Sequence, residues 1–381
     1  MTTSSQGEAA QNIDALLQRL EELTLTEDER EEVDESSEIP EAVRYSGQDF
    51  DVEGLVRRIN SGDIVVPQFG GVDEGIETAG FQRGFVWNRP QMDRFIESLL
   101  LGYPIPGIFL VKQQDKRLLV LDGQQRLVTL KNFYEGLHAD RAFKLTSVTP
   151  RFVGLTYKTL PEDLRRMLDN TFIQATVVDI DRTDSSLDAV YQIFERLNSG
   201  GTQLTPHQIR VALYSGPLIE LLETLNNTPA WRKLYGAKNS RIRDQELILR
   251  IIAFYLDADS YARPLKKFLN DFAKKNRTAD RPELIAAVRK FQSAAEILQA
   301  GPGPRALRRL STQVNVAQTE AVFFALMREL DKRDITPEQA AAAFESLRGN
   351  AKFSNAMTRS TADEEIVRTR LSEAANAFKA V

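Results

Sequence analysis

Five consecutive residues, Asp122-Gly123-Gln124-Gln125-Arg126, bring together a carboxylate, a glycine, two amides and a guanidinium. The apolar run Leu118–Leu121 before them suits a short buried strand. From Gln124 the spacing turns helical, with Leu127, Leu130 and Tyr134 on one face and Gly136 as the stop. A strand, a glycine turn and a helix start make an anion site, because the first turn of a helix carries unpaired N–H groups at the positive end of its dipole. Gly123 admits a phosphate close to the backbone, and Arg126 adds a planar fork of donors suited to phosphate oxygens. Asp122 would repel a bare phosphate unless a cation or a sugar hydroxyl lay between them. The set therefore points to a nucleotide with Mg²⁺ rather than a bare anion. Gln124 or Gln125 would orient an attacking water. The competing reading is plain: Asp-Gly is a common turn pair, and Asp is a good helix N-cap.

Other residues are placed to complete such a site. Gln82, Arg83 and Trp87 lie in an irregular stretch upstream. Arg83 would complement Arg126 across a phosphate, or form a structural ion pair instead. Trp87 would stack on a base or wall the pocket, or pack in the core as aromatics commonly do. Downstream, Asn198, Gly200 and Gly201 form a polar bend after a helix. They would face the phosphates, with Glu195 or Asn198 supporting Mg²⁺ beside Asp122. Their structural alternative is a C-cap and interhelix turn.

The elements that must position these residues follow from pattern. Val52, Leu55, Val56 and Ile59 make one helical face ended by Ser61-Gly62, and Ile64–Phe69 reads as an edge strand because Pro67 interrupts it. Asn88 caps a helix with Pro90 in its first turn, burying Met92, Phe95, Ile96 and Leu99. The stiff Tyr103-Pro104-Ile105-Pro106 leads into a strand at Ile108–Val111. A short helix at Pro161–Leu168, a strand at Phe172–Asp181 and a helix at Leu187–Leu197 follow, and Thr205-Pro206 opens the next helix. From Pro217 to Val381 helical spacing is nearly continuous, broken at Gly301-Pro302-Gly303-Pro304.

Composition narrows the classes. A chain of 381 residues, 42% hydrophobic and 27% charged, is globular and long enough for two domains. It has no Cys, which excludes disulfides, thiolate nucleophiles and Cys-based metal centres. It has two His, His138 and His207, too few for a multi-His metal site. No run reads as a signal peptide or a membrane span, so a cytoplasmic protein with no membrane partner is expected. The net charge of −5 is uneven: residues 1–48 hold 3 Lys+Arg against 13 Asp+Glu, and residues 216–381 hold 27 against 20. Such asymmetry is a hint of a nucleic-acid partner or a solubilising acidic tail. A sharper account makes the acidic segment a tether that covers the basic half until nucleic acid displaces it.

Taken in order, FQRGFVW, the Pro-Ile-Pro strand, LDGQQR, FERLNSGGTQLTPHQIR and RIRDQELILR resemble the N-terminal domain of the GmrSD/SspE-type family of bacterial anti-phage restriction proteins. The resemblance runs from about residue 51 to about residue 270. It implies a ParB/sulfiredoxin-like core in which the loop Asp122–Arg126 serves binding and hydrolysis of an NTP (GTP, ATP or CTP), with NTP turnover coupled to recognition or cleavage of DNA, including modified phage DNA. Relatives of this type continue into a nuclease domain with a His-Asn-His motif. Neither His here lies past residue 207, so a separate nuclease or defence-system subunit is expected to supply cleavage, and a homo-oligomer is compatible with this arrangement.

The resulting expectation is an α+β protein. Residues 1–48 are expected to form an acidic, largely disordered tail with a short helix, 49–215 a ParB/sulfiredoxin-like nucleotide-binding domain, and 216–381 a helical domain with a possible split near 301–304. Its expected activity is NTP hydrolysis within a restriction-type defence system. Two rivals stand beside it: a non-catalytic DNA-binding or adaptor protein using the basic helical half, and a Mg²⁺-dependent DNA nuclease using Asp122.

Overall fold

The computed structural model describes Glu29 and residues 43–66, 87–113, 115–179, 184–197, 204–309, 313–357 and 361–381, the side chains of 184–188, 194 and 195 excepted. The chain divides into two compact units. A sheet unit holds the described residues from 43 to 197, and a helical unit holds Glu29 and the described residues from 204 onward.

The sheet unit runs β1 (Arg44–Asp51), α1 (Val52–Asn60), β2 (Ile64–Val65), α2 (Arg89–Leu100), β3 (Ile108–Lys112), β4 (Leu118–Asp122), α3 (Gln124–Glu135), β5 (Leu137–His138), β6 (Arg141–Ala142), α4 (Glu162–Asp169), β7 (Phe172–Asp179) and α5 (Asp184–Leu197). Five strands form one mixed sheet in the order β1-β7-β3-β4-β2, and β5 pairs with β6 separately. β3 lies parallel to β7 and antiparallel to β4, while β2 adds to β4 in parallel. β2 is thus an edge, as expected of the strand read at Ile64–Phe69, of which residues 67–69 lie outside the described residues. The other edge, β1, has no signal in the sequence. Its residues RYSGQDFD are polar and mostly exposed, and the strand is held by backbone pairing with β7 from Arg44↔Asp179 to Asp51↔Phe172.

Period-two alternation divides the sheet's side chains. Ile108, Leu110, Val120, Ile173, Ala175 and Val177 belong to the core shared with helices α1 to α4. Val111, Leu119, Leu121 and Val178, the intervening residues, are buried as well, and α5 packs against β4. The helix starts at Asn88 and Thr205-Pro206 are those read from sequence, and the cap at Asp51 emerges from the structure. Asp51 caps α1 through the Gly54 N–H, and Asn88 and Gln91 form a reciprocal capping box on α2 with Pro90 in its first turn. Asp93 in α2 is fully buried and accepts bonds from Arg89 Nε, both Thr146 donors and the Ser147 N–H. It fixes the 143–149 loop to the helix.

The helical unit comprises α6 (Pro206–Leu213), α7 (Pro217–Asn226), α8 (Pro229–Tyr235), α9 (Arg243–Asp257), α10 (Leu265–Lys275), α11 (Pro282–Ala300), α12 (Val316–Leu330), α13 (Pro337–Arg348), α14 (Ala351–Asn355) and α15 (Glu364–Lys379). Six of these, α6, α7, α8, α11, α13 and, through the N-cap residue Pro264, α10, start at a proline, where the missing N–H costs no helical bond. The Gly-Pro-Gly-Pro break becomes a short 3₁₀ turn, Gly303–Leu307, with both flanks in the same unit. Trp231 packs against Phe291 and Phe323 at the centre. Tyr255, Tyr261, Phe268 and Phe272, the aromatics interleaved with basic residues, are core residues, each at most 9% exposed. Buried charge is paired: Glu320 accepts from both Arg250 and Arg370, and Arg250 also binds Glu246. The protein is therefore α+β, a mixed sheet followed by a helical half. Among the described residues, no helix is long and apolar enough to cross a membrane.

Candidate phosphate-binding site at the end of β4

β3 and β4 run antiparallel, so the start of β3 lies beside the end of β4, where Phe109 pairs with Asp122. The register shifts between Phe109 and Leu110, an irregularity of the kind that re-aims side chains near functional sites. Gly123 follows at φ +98°, and α3 starts at once. A Cβ at Gly123 would sit 2.5 Å from Ile108 Cγ2. Only glycine allows both the left-handed turn and this close approach of β4's exit to β3.

Asp122 does not cap α3. Gly123 is the N-cap residue, no side chain bonds to the first turn, and no acidic residue lies in it. The intrahelical ladder begins at the Leu127 N–H, which donates to the Gly123 carbonyl. The N–H groups of Gln124, Gln125 and Arg126 are therefore left without intrahelical acceptors. The turn-plus-cap reading of Asp122 is set aside by this geometry; an uncapped positive helix end remains.

The side chains of the five-residue segment have separate surroundings. Arg126 turns back towards β3: Nη1 donates to the Pro106 carbonyl and to the Gly107 carbonyl at 3.0 Å, and Nη2 donates to Asp122 Oδ2 at 2.8 Å. Its side chain is 11% exposed. Burial pushes its pKa below the usual guanidinium value, and the Asp122 carboxylate pulls the other way. Arg126 thus clamps the Pro-Ile-Pro-Gly segment to the β4–α3 turn. Asp122 is half-exposed, and its second oxygen accepts no bond among the described residues. Gln125 Oε1 accepts the Trp87 backbone N–H at 3.1 Å. The Trp87 ring packs edge-on against Phe95 at 5.5 Å, so it is a wall of the core at this end of α2.

Gln124 differs from all of these. It is 8% exposed, yet its buried Nε2 has no hydrogen-bond partner among the described residues. A buried amide left unsatisfied costs about 1–3 kcal/mol, and such a group in a native fold calls for an explanation. It stands at the first residue of α3.

Of the other residues named from sequence, Gln82, Arg83, Asn198, Gly200 and Gly201 lie outside the described residues, as does the side chain of Glu195. The structure therefore brings together Asp122, Gly123, Gln124, Gln125, Arg126 and Trp87. Sequence reading did not find the Pro106 and Gly107 carbonyls, because backbone acceptors leave no trace in residue type. The fourfold spacing of Asp122 and Arg126 was the available signal for their pairing. Mg²⁺ suits the donor set in a limited way. It is commonly held by one or two carboxylates completed by substrate phosphates and water, and Asp122 offers one carboxylate. Among the described residues there is no group of three His, Asp or Glu placed to hold a metal.

Residues 67–215 match the family described as GmrSD restriction endonuclease, N-terminal domain. The match takes in β3, β4, the Asp122–Arg126 segment and α6, so the resemblance carried by the motifs holds over this stretch. That model describes the N-terminal domain of a restriction endonuclease, and the match is confined to residues 67–215. No curated protein and no solved structure matches the chain.

Proposed function

We propose that this chain is the nucleotide-binding and NTP-hydrolysing component of a restriction-type anti-phage system, coupling nucleotide state to DNA recognition or cleavage. One observation carries the reading: the buried, unpartnered amide of Gln124 at an uncapped helix start. A phosphate oxygen there would satisfy that amide together with N–H groups of the uncapped first turn of α3. A nucleoside triphosphate also accounts for Asp122, whose outward carboxylate would help hold Mg²⁺ or orient the attacking water. Bound Mg²⁺ would neutralise charge on the phosphates. Of the two glutamines, Gln124 has its amide available for phosphate or water, whereas Gln125 is bonded to Trp87. Arg126 acts through Asp122 and the β3 carbonyls as a positioning residue. Catalysis of this kind is positioning with charge stabilisation.

The test is phosphate release from ATP, GTP and CTP with Mg²⁺, with and without duplex DNA. Turnover of at least one nucleotide, lost in folded Asp122→Ala and Gln124→Ala, is the expected result. Absence of turnover and of nucleotide binding overturns the proposal and leaves the non-catalytic DNA-binding reading. Plasmid nicking by the purified chain, lost in Asp122→Ala, would favour the nuclease instead.

A further inference from the structure

The helical unit holds a second built site, and it is occupied by the chain itself. Arg243 Nε donates to Glu29 Oε1 and Nη2 to Glu29 Oε2, each at 2.7 Å. Both carboxylate oxygens are engaged, across 214 positions of sequence, and Glu29 is only 3% exposed. Glu29 belongs to the acidic first 48 residues, with 13 Asp+Glu against 3 Lys+Arg.

The receiving side is a shaped loop. Asn239 Oδ1 accepts the Arg241 N–H at 2.9 Å, and fully buried Asp244 accepts from Asn226 Nδ2 at 3.0 Å and Arg232 Nη1 at 2.8 Å. Between the two arginines Ile242 is held at φ +52°. A β-branched residue in that region is strained, and such strain persists only where the surroundings over-determine it. Arg308 reaches the same place, donating to the carbonyls of Leu234 at 2.7 Å and Tyr235 at 2.6 Å. Arg232, Arg243 and Arg308 all act electrostatically on Tyr235. The loop thus concentrates guanidinium groups and presents the Arg243 fork to an anion with two oxygens.

We propose that this arginine cluster is a contact surface for the phosphate backbone of duplex DNA, and that the acidic segment carrying Glu29 is an intramolecular mimic of that backbone which occupies it. A planar guanidinium meets a phosphate diester with the same paired bonds it makes to a carboxylate. A tethered competitor acts at an effective concentration in the millimolar range. It screens the surface against weak, sequence-independent DNA while yielding to a DNA held at further contacts. This inference does not depend on what binds at the end of β4.

The test is fluorescence anisotropy of a labelled duplex with the full chain over a range of salt. Glu29→Gln is expected to tighten binding about 10-fold at low salt and to steepen the salt dependence, as one more phosphate contact requires. Arg243→Gln weakens binding, and the double variant binds no tighter than Arg243→Gln alone. Hydrogen exchange on the unmodified chain gives a second reading that needs no variant. DNA should protect residues 236–245 in the unmodified chain. Unchanged affinity in Glu29→Gln overturns the proposal, whether or not that variant melts earlier, and so does unchanged exchange over residues 236–245 on saturation with DNA.

Discussion

Arg126 Nη2 donates to Asp122 Oδ2 at 2.8 Å, four residues back and on the far side of Gly123. The same guanidinium reaches the Pro106 and Gly107 carbonyls. One side chain thus ties the exit of β4, the entry of β3 and the first turn of α3. The pairing changes the role of each partner. Arg126 shapes the turn from inside, and Asp122 keeps one oxygen outward.

Arg126→Ala should therefore show itself first in stability. It removes the guanidinium's bonds to the Pro106 and Gly107 carbonyls and to Asp122. Hydrogen bonds to a charged group contribute about 1.5–3 kcal/mol each to such measurements, and partial exposure of Asp122 reduces its share. A loss of about 2–3 kcal/mol is expected in denaturant unfolding. Arg126→Lys should recover less than half of it, because an ammonium cannot span both strands' acceptors as the planar fork does. Full stability in Arg126→Ala would contradict the clamp.

Gly123→Ala should destabilise by about 2 kcal/mol, combining the cost of a left-handed non-glycine residue with the contact to Ile108. Gly47→Ala on β1 is the control. Nothing lies within 4 Å of its added Cβ, so a change within about 0.5 kcal/mol is expected. Equal effects at the two glycines would show that the turn is not constrained as described.

His207 gives a pH-dependent prediction in the helical unit. It is fully buried, its Nε2 lies 3.2 Å from Gln245 Oε1, and its pKa is lowered to about 3, chiefly by burial. Glu246 works against that shift, while Arg210 and Arg250 add to it. The unfolded chain binds a proton near the ordinary pKa of about 6.5, and the folded chain does not until far lower. His207 therefore favours folding above pH ~6.5 and loses that contribution as pH falls towards 3. Between pH 7.5 and pH 5 the loss is about 2 kcal/mol. His207→Gln should flatten the pH dependence by that amount in denaturant unfolding. An unchanged slope would mean that His207 is charged in the fold.

Much of this architecture was legible because apolar spacing and caps are local. The faces of α1, α2 and α3, the cap at Asn88, the edge position of the strand that starts at Ile64 and the core role of Tyr255 to Phe272 all follow from residues near one another in sequence. β1 was not legible, since its polar residues are held by backbone pairing with β7 and bury little. At the site, the helix-start geometry was readable, but the division of labour was not. Whether Arg126 faces a ligand or the Pro106 carbonyl, and whether Gln124 or Gln125 has its amide engaged, depends on contacts between distant segments. The seating of Glu29 on Arg243 is of the same kind: charge asymmetry hinted at a meeting of the two regions, and only the fold names the pair.

The most direct measurement is a thermal shift with ATP, GTP and CTP plus Mg²⁺ on the unmodified chain and on Gln124→Met. Methionine keeps the volume and removes the buried amide. Without nucleotide, the variant should melt at the same temperature or about 2–4 °C higher, having lost a costly unsatisfied group. With nucleotide, the unmodified chain should gain stability by mass action, about 2.7 kcal/mol at a hundredfold excess over Kd, and the variant should gain little. A nucleotide-induced shift of the same size in both proteins, or none in the unmodified chain, would contradict phosphate binding at the start of α3.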